Sequence, residues 1–223
     1  MTSNAAEHWG HGSGLLERSA DFALDVVRGV TREALSRPTP CSEWDLRALL
    51  HHVNDSVTAL REGLCDGHVA LDPARHDGRD GHQRHDGRGG TFDSGLAEVD
   101  LIAGFRERTV ELIGAWRDFR RARGISLQRD RGISVADMPL SDDLFIGIGA
   151  VEIAVHGWDI AQACGDHRQI PWRLATDLME ICPWLVADDI RFPLFAPQVA
   201  VPTTAGPSDR LLAFLGRSPN LRV

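Results

Sequence analysis

The chain contains neither lysine nor tyrosine, so all 24 of its basic residues are arginines. Lysine forms Schiff bases with carbonyl substrates, and the tyrosine phenol is a frequent acid catalyst. Both kinds of chemistry are therefore excluded for the side chains of this protein. The net charge of −8 also argues against a nucleic-acid-binding surface, which needs a concentrated basic patch. A small molecule is the better default partner.

Long apolar runs are absent as well. No stretch reaches the roughly 18 to 20 uninterrupted apolar residues that span a membrane, and the first residues, M-T-S-N-A-A-E-H-W-G, lack a basic region followed by an apolar one. We therefore expect a cytoplasmic protein without a membrane partner. Its association state is left open between monomer and homodimer.

Cysteine is scarce and widely spaced, at Cys41, Cys65, Cys164 and Cys182. A zinc ribbon or a thioredoxin-like motif needs a C-x-x-C pair, and the sequence has none. In the cytoplasm these cysteines are expected to be free thiols. Cys41 stands just before a predicted helix, where a thiol pKa can fall. Because no neighbouring base is evident, we predict that Cys41 only packs.

Apolar residues recur at helical spacing along most of the chain, and its length suits one main core. Ser42, three residues before Asp45, has the spacing of a capping box at the start of the second helix. We predict helices over Gly14–Val30, Glu43–Gly63, Leu96–Arg123, Ser141–Gly165 and Trp172–Asp188, with a final short helix over Leu211–Arg217.

The segment 66–94 is dense in glycine, aspartate, histidine and arginine, and this composition predicts a mobile loop. Histidine-rich tracts sometimes bind metals. Ordering flexible ligands costs conformational entropy, so we favour no specific metal role here. The four histidines concerned are His68, His76, His82 and His85.

The run V-E-I-A-V-H-G-W-D-I-A, residues 151–161, sets polar residues into a helix that is apolar nearly all round and should be buried. Glu152 and His156 are one turn apart and point the same way. A buried carboxylate and imidazole need partners. A divalent metal is one, because zinc binds both atom types. A hydrogen-bonded arginine is the other, and the pair taken alone favours it because most buried polar groups are simply hydrogen-bonded.

A third ligand would change that balance. The apolar stripe of the second predicted helix places His52 beside it and His51 farther toward solvent. His52, Glu152 and His156 together would give three protein ligands and an open position, the arrangement of a catalytic zinc. Asp159 has two open roles, either to hydrogen-bond a ligand histidine or to pair with an arginine. We predict that Trp44 and Trp158 are core residues, because large aromatic side chains chiefly supply buried area. The arginine cluster 117–123 is predicted to be a solvated face.

Three segments resemble the mycothiol-dependent maleylpyruvate isomerase family, within the DinB-like superfamily. They are P-T-P-C-S-E-W-D-L-R-A-L-L-H-H-V, V-E-I-A-V-H-G-W-D-I-A-Q-A-C-G and L-L-A-F-L-G-R-S-P. The resemblance implies an all-α, DinB-like up-down four-helix bundle with a short irregular C-terminal extension. The bundle would span residues 13–190, after a flexible N-terminus (1–12) and before the extension (191–223) packed on it.

The resemblance also implies a divalent metal, usually zinc, held by His52, Glu152 and His156, and a low-molecular-weight thiol such as mycothiol as cosubstrate. The expected reaction is an isomerisation or S-transfer on a small electrophile. The chain has a short tail where the isomerase has a larger C-terminal domain, so maleylpyruvate itself is not the expected substrate. Two other functions stay open: a non-catalytic metal- or ligand-binding protein, and a biosynthetic enzyme that uses the bundle pocket without a thiol.

Overall fold

The computed structural model describes residues 14–41, 44–70, 94–125, 132–186, 191 and 195–219, with the backbone alone for 94–100 and 124–125. This part of the chain is mostly helical, with a short 3-10 helix at Arg32–Ala34 and a small sheet. The α-helices are α1 (Leu15–Val27), α2 (Leu46–Asp66), α3 (Ser94–Ile125), α4 (Asp142–Ala163), α5 (Trp172–Leu185) and α6 (Pro207–Phe214).

All five long helices that the periodicity predicts form. The final short helix also forms, as α6, but it begins at Pro207 and ends at Phe214, whereas the predicted range is 211–217. α5 ends at Leu185, whereas the predicted end, Asp188, lies outside the described residues. Pro183 has no N–H to donate within that last turn, which weakens the helix there. The predicted N-terminus (1–12) and most of the predicted mobile loop (71–93) also lie outside the described residues.

The start of α2 differs from the prediction. The helix begins at Leu46 and its cap is Asp45, whose Oδ1 accepts the Ala48 N–H at 2.8 Å. Asp45 also pairs with Pro38 in an isolated β-bridge, and the Leu46 N–H donates to the Arg37 carbonyl at 2.9 Å. These bonds satisfy the first amides of the helix and fix where it begins. The residues of the predicted start, Ser42 and Glu43, lie outside the described part.

A three-stranded sheet, which the sequence analysis does not predict, adds to the helices. β1 (His68–Val69) lies parallel to β2 (Ile133–Val135), which pairs antiparallel with β3 (Met138–Leu140). Two residues connect β2 to β3, Ala136 and Asp137, and both have positive φ. This is the backbone of a tight hairpin turn. Of the four loop histidines, His68 is exposed on β1, and the others lie outside the described residues.

The chain divides into two units, and each is described by itself. The first comprises Met1–Leu49 and Asp143–Val223, and the second comprises Leu50–Asp142. In the first unit, α5 packs against α1 and α6. Gly157 of α4 closely approaches α1, since an added β-carbon would lie 3.2 Å from the Ala23 Cβ. The absence of a side chain at Gly157 therefore permits this packing.

Within the first unit, the segment after α5 is fixed by polar contacts. The buried Arg191 donates to the Phe214 carbonyl at 2.8 Å, and its guanidinium lies 5.0 Å from the centre of the Phe214 ring. Ser208, at the start of α6, accepts the Ile170 N–H at 3.1 Å. The boundaries predicted for the bundle and its extension stay predictions.

In the second unit, a buried asparagine links two helices. Asn54 of α2 donates to the Leu101 carbonyl of α3 at 3.2 Å and accepts a bond from Arg108 at 2.7 Å. Because a buried amide costs free energy unless it is hydrogen-bonded, these bonds fix α2 against α3 at one position.

Among the described residues, α4 alone is long and apolar enough to cross a membrane by length and composition. Its most apolar window is 83% buried inside the protein. Core helices of soluble proteins pass the same test, and the near-complete burial of α4 agrees with its prediction as a core helix. The cytoplasmic location stays a prediction.

Candidate functional site

Three polar residues of α4 lie close together: Glu152, His156 and Asp159. The His156 Nε2 lies 3.3 Å from the Glu152 Oε1, and its Nδ1 lies 2.9 Å from the Asp159 Oδ2. The Asp159 side chain is 0% exposed and that of Glu152 is 31% exposed. Helical spacings of four and three residues thus place one carboxylate at each nitrogen of the imidazole ring.

The orientation of the His156 ring follows from the ionisation of Asp159. Burial raises the pKa of Asp159, but the hydrogen bond from His156 and the charge of Arg217 lower it by more, so the net pKa lies below its usual value. An ionised carboxylate only accepts hydrogen bonds, so the His156 Nδ1 donates its proton to Asp159. The Nε2 then faces Glu152.

His156 itself is a strongly basic imidazole in this environment. Burial lowers the pKa of His156, but the charge of Glu152 and the hydrogen bond to Asp159 raise it by more, and the net pKa lies well above its usual value. The carboxylates that stabilise a proton on this ring would also stabilise a metal cation bound to it. A carboxylate behind the other ring nitrogen is the usual support of a metal-binding histidine.

Asp159 both bonds His156 and pairs with an arginine, so the structure combines the two roles that the sequence left open. The Arg217 guanidinium donates to the Asp159 Oδ2 at 3.0 Å, and the Cys41 thiol donates to the same oxygen at 3.3 Å. Arg217 also lies 3.3 Å from the Cys41 sulfur.

Cys41 is therefore not the isolated packing residue that the sequence predicts. Its sulfur lies 3.9 Å from the His156 Nδ1, so the expectation that no base lies nearby is wrong. Trp158 is buried in the core as predicted. Trp44 is half-buried, and its ring centre lies 6.2 Å from that of His156. Sequence reasoning missed Arg217, although it lies in the third segment that carries the family resemblance.

Cys41, His156 and Asp159 do not form a catalytic triad like that of a cysteine protease. In such a triad, the nucleophile and the orienting carboxylate contact different nitrogens of the histidine. Here both Cys41 and Asp159 face the Nδ1 of His156. Cys41 therefore lies behind the imidazole with Asp159, on the side away from Glu152.

Cys41, His156 and Asp159 also offer donor atoms within 4.8 Å of one another, as metal ligands would. The Arg217 cation lies at hydrogen-bond distance from both Cys41 and Asp159, and its positive charge disfavours a second cation there. The Glu152 side of the ring has carboxylate oxygen and imidazole nitrogen, which are zinc donors. The residues of this side fit a divalent metal better.

His52, the third predicted ligand, is half-buried on α2, whereas its neighbour His51 is exposed. The apolar stripe that oriented the prediction is buried throughout, at Leu46, Leu49, Leu50, Val53, Val57 and Leu60. This difference in burial between adjacent histidines is the one that the stripe predicts. The membership of His52 in a ligand set stays a prediction.

The mostly helical fold is that of a DinB-like helical protein. Residues 16–161 match the family of the mycothiol maleylpyruvate isomerase N-terminal domain, which covers more than half of the chain. The chain therefore belongs to this family, as the three sequence segments indicate.

Two similar proteins are uncharacterised proteins of Mycobacterium tuberculosis, Rv0738 of strain H37Rv and MT0763 of strain CDC 1551 / Oshkosh. Each is 27% identical to this chain over 210 residues, which cover 91% of this chain and 95% of the relative. No solved structure matches the chain significantly.

Proposed function

We propose that this protein is a metal-dependent enzyme that uses a low-molecular-weight thiol of the mycothiol type to isomerise, or to transfer sulfur to, a small electrophilic molecule. One observation carries the proposal. In a chain of the mycothiol maleylpyruvate isomerase N-terminal domain family, the His156 Nε2 lies 3.3 Å from the Glu152 Oε1 while Asp159 holds the opposite ring nitrogen.

The proposed metal ligands are His52, Glu152 and His156, and the proposed metal is zinc. Carboxylate oxygen and imidazole nitrogen are ordinary zinc donors, and three protein ligands with one open position are typical of catalytic zinc. The hydrogen bond from the His156 Nδ1 to Asp159 supports this choice because it fixes the ring with Nε2 toward Glu152. The half-buried state of His52 and the exposure of His51 support the choice between these neighbours.

The proposed chemistry begins with a thiol, whose pKa of about 8.5 leaves it mostly protonated at neutral pH. When bound, the metal supplies the positive charge that deprotonates such a thiol. On α4, His156 is buried and the Glu152 side chain is 31% exposed. The thiolate would form a C–S bond while the π bond of an alkene or carbonyl, or a C–O bond of an epoxide, breaks and its electron pair moves to the neighbouring carbon or oxygen. In an S-transfer the resulting carbanion or oxyanion takes up a proton and the C–S bond remains. In the isomerisation of an alkene, rotation about the former double bond follows, the electron pair re-forms the π bond, and the thiolate leaves.

Metal content tests the ligand set, with His51 as the matched control for His52. We expect one divalent metal per chain in the wild type. His52→Ala and Glu152→Ala should lose most of it, because each removes one of three ligands. His51→Ala should keep it and change stability by about 0.5 kcal/mol or less, as an exposed substitution does. Loss of metal in His51→Ala with retention in His52→Ala would require a different ligand set.

Activity tests the reaction class. Purified protein, loaded with zinc or stripped of metal, is screened with a panel of thiols against small alkenes, epoxides and carbonyl compounds. Turnover that needs both metal and thiol is the expected result. Tight metal binding without turnover would favour the non-catalytic binding protein. Turnover of a substrate without any thiol would favour the biosynthetic enzyme that has repurposed the pocket.

A further inference from the structure

Arg217 reaches the site from the C-terminal side of α6 through a helix end with well-defined geometry. The Arg217 N–H donates to the Leu212 carbonyl at 2.8 Å and the Gly216 N–H donates to the Ala213 carbonyl at 3.1 Å. This pair of bonds is the Schellman motif, which ends a helix with a left-handed residue. Gly216 has φ of 80°, and a β-carbon there would lie 2.7 Å from the Ala196 oxygen. Only glycine fits, and the turn fixes the backbone of Arg217.

The side chain of Arg217 is directed inward from this fixed backbone. It is 13% exposed, and its terminal nitrogen donates to the Asp159 Oδ2 and lies 3.3 Å from the Cys41 sulfur. Burial lowers the pKa of Arg217, but the charge of Asp159 raises it by more, so the guanidinium stays charged. A buried carboxylate and a buried guanidinium in direct contact compensate each other's charge.

The contacts of Asp159 are uneven between its two oxygens. Its Oδ2 accepts bonds from His156, Arg217 and Cys41, whereas its Oδ1 is buried and has no hydrogen-bond partner among the residues that the structure describes. The orientation of the carboxylate therefore depends on the three donors at a single oxygen. Of these donors, Arg217 is the permanent cation.

We propose that Arg217 is a positioning residue of the metal site: it holds the Asp159 carboxylate in the orientation in which its Oδ2 accepts the hydrogen bond from the His156 Nδ1, so that the ring presents Nε2 toward Glu152. This inference rests on the proposed function. Arg217 is not a ligand. It acts through Asp159 on the orientation of the His156 ring, in the way that carboxylates behind metal-binding histidines support them.

Zinc affinity of the full-length protein tests the role, measured by competition with a chromogenic chelator. The variant is Arg217→Gln, and the matched control is Arg210→Gln, an exposed arginine of α6 that donates to the Thr203 carbonyl. We expect Arg217→Gln to weaken zinc binding about tenfold or more, within the 10- to 100-fold range for residues that support ligand histidines. Arg210→Gln should bind as the wild type does.

Two further measurements separate positioning from general loss of structure. Proton NMR of metal-free protein reports the hydrogen bond from the His156 Nδ1–H to Asp159, whose proton should resonate far downfield in the wild type and should be shifted or lost in Arg217→Gln. Arg217→Lys keeps the charge with a single ammonium group, so it should recover part of the affinity and of the His156 Nδ1–H signal. Thermal unfolding of the metal-free variants shows whether each one is folded. If Arg217→Gln is not folded, Arg217→Lys takes its place in the zinc-affinity measurement.

The outcomes distinguish the two proposals. Wild-type protein that binds no zinc would overturn the proposed function, and the positioning role with it. A folded Arg217→Gln variant with wild-type zinc affinity and an unchanged His156 Nδ1–H signal would overturn the positioning role alone. Equal losses in Arg217→Gln and Arg210→Gln would also overturn it, since the effect would then be one of surface charge.

Discussion

Gly157 lies on α4 between His156 and Asp159 of the candidate site. Replacing it with alanine tests how α4 packs on α1. A β-carbon at this position would lie 3.2 Å from the Ala23 Cβ, 3.3 Å from the Ala23 Cα and 3.3 Å from the Phe22 Cδ1. The Phe22 ring can turn aside. Ala23 has no rotatable side chain, so the backbone of α1 must move instead.

The expected change in stability is the difference of two terms. Alanine gains about 1 kcal/mol over glycine in a helix interior. Forcing an extra carbon into a packed interface costs about 1 to 3 kcal/mol. We therefore expect Gly157→Ala to lose about 1 kcal/mol of unfolding free energy, which lowers Tm by about 2 to 4 °C for a protein of this length.

Gly114→Ala is the matched control, because Gly114 is an exposed glycine within α3 and an added β-carbon meets nothing within 4 Å. It should gain about 0.5 to 1 kcal/mol from helix propensity alone. Both variants are measured by urea unfolding of metal-free protein, followed by circular dichroism. If Gly157→Ala is as stable as Gly114→Ala, the close approach of α4 to α1 is not as described.

Two other predictions concern a helix cap and the cysteines. Asp45→Ala should lower the unfolding free energy by about 1 kcal/mol, because it removes the bond from the Ala48 N–H, whereas Asp45→Asn should lose little; thermal unfolding checks both, and equal losses would contradict the cap. Burial raises the pKa of the Cys182 thiol to about 12, so Cys182 should not react with an aromatic disulfide at pH 8 in the folded protein, while the exposed Cys65 should react at once. Mass spectrometry of the labelled sites reports this, and fast labelling of Cys182 would show that its burial is not maintained.

The sequence alone gives the helices and half of the site because both depend on local spacing. Hydrophobic periodicity marks each long helix, although the ends shift where caps or prolines act, as at Asp45 and Pro183. Any helix at this position brings Glu152 and His156 together, since residues four apart share a face. The buried stripe on α2 likewise separates His52 from His51 by burial without knowledge of any other element.

Tertiary structure decides the rest of the site. Cys41 and Arg217 meet at Asp159 across 118 and 58 positions of the chain, and no local pattern records such a contact. The strands of the sheet have two or three residues each, too few for an alternating pattern to appear. The sequence by itself therefore determined which residues form helices and which polar groups share a helix face. Only the packing of distant segments determined that a thiol and a guanidinium lie behind His156, because the free energy of a buried carboxylate depends on the groups that surround it in space.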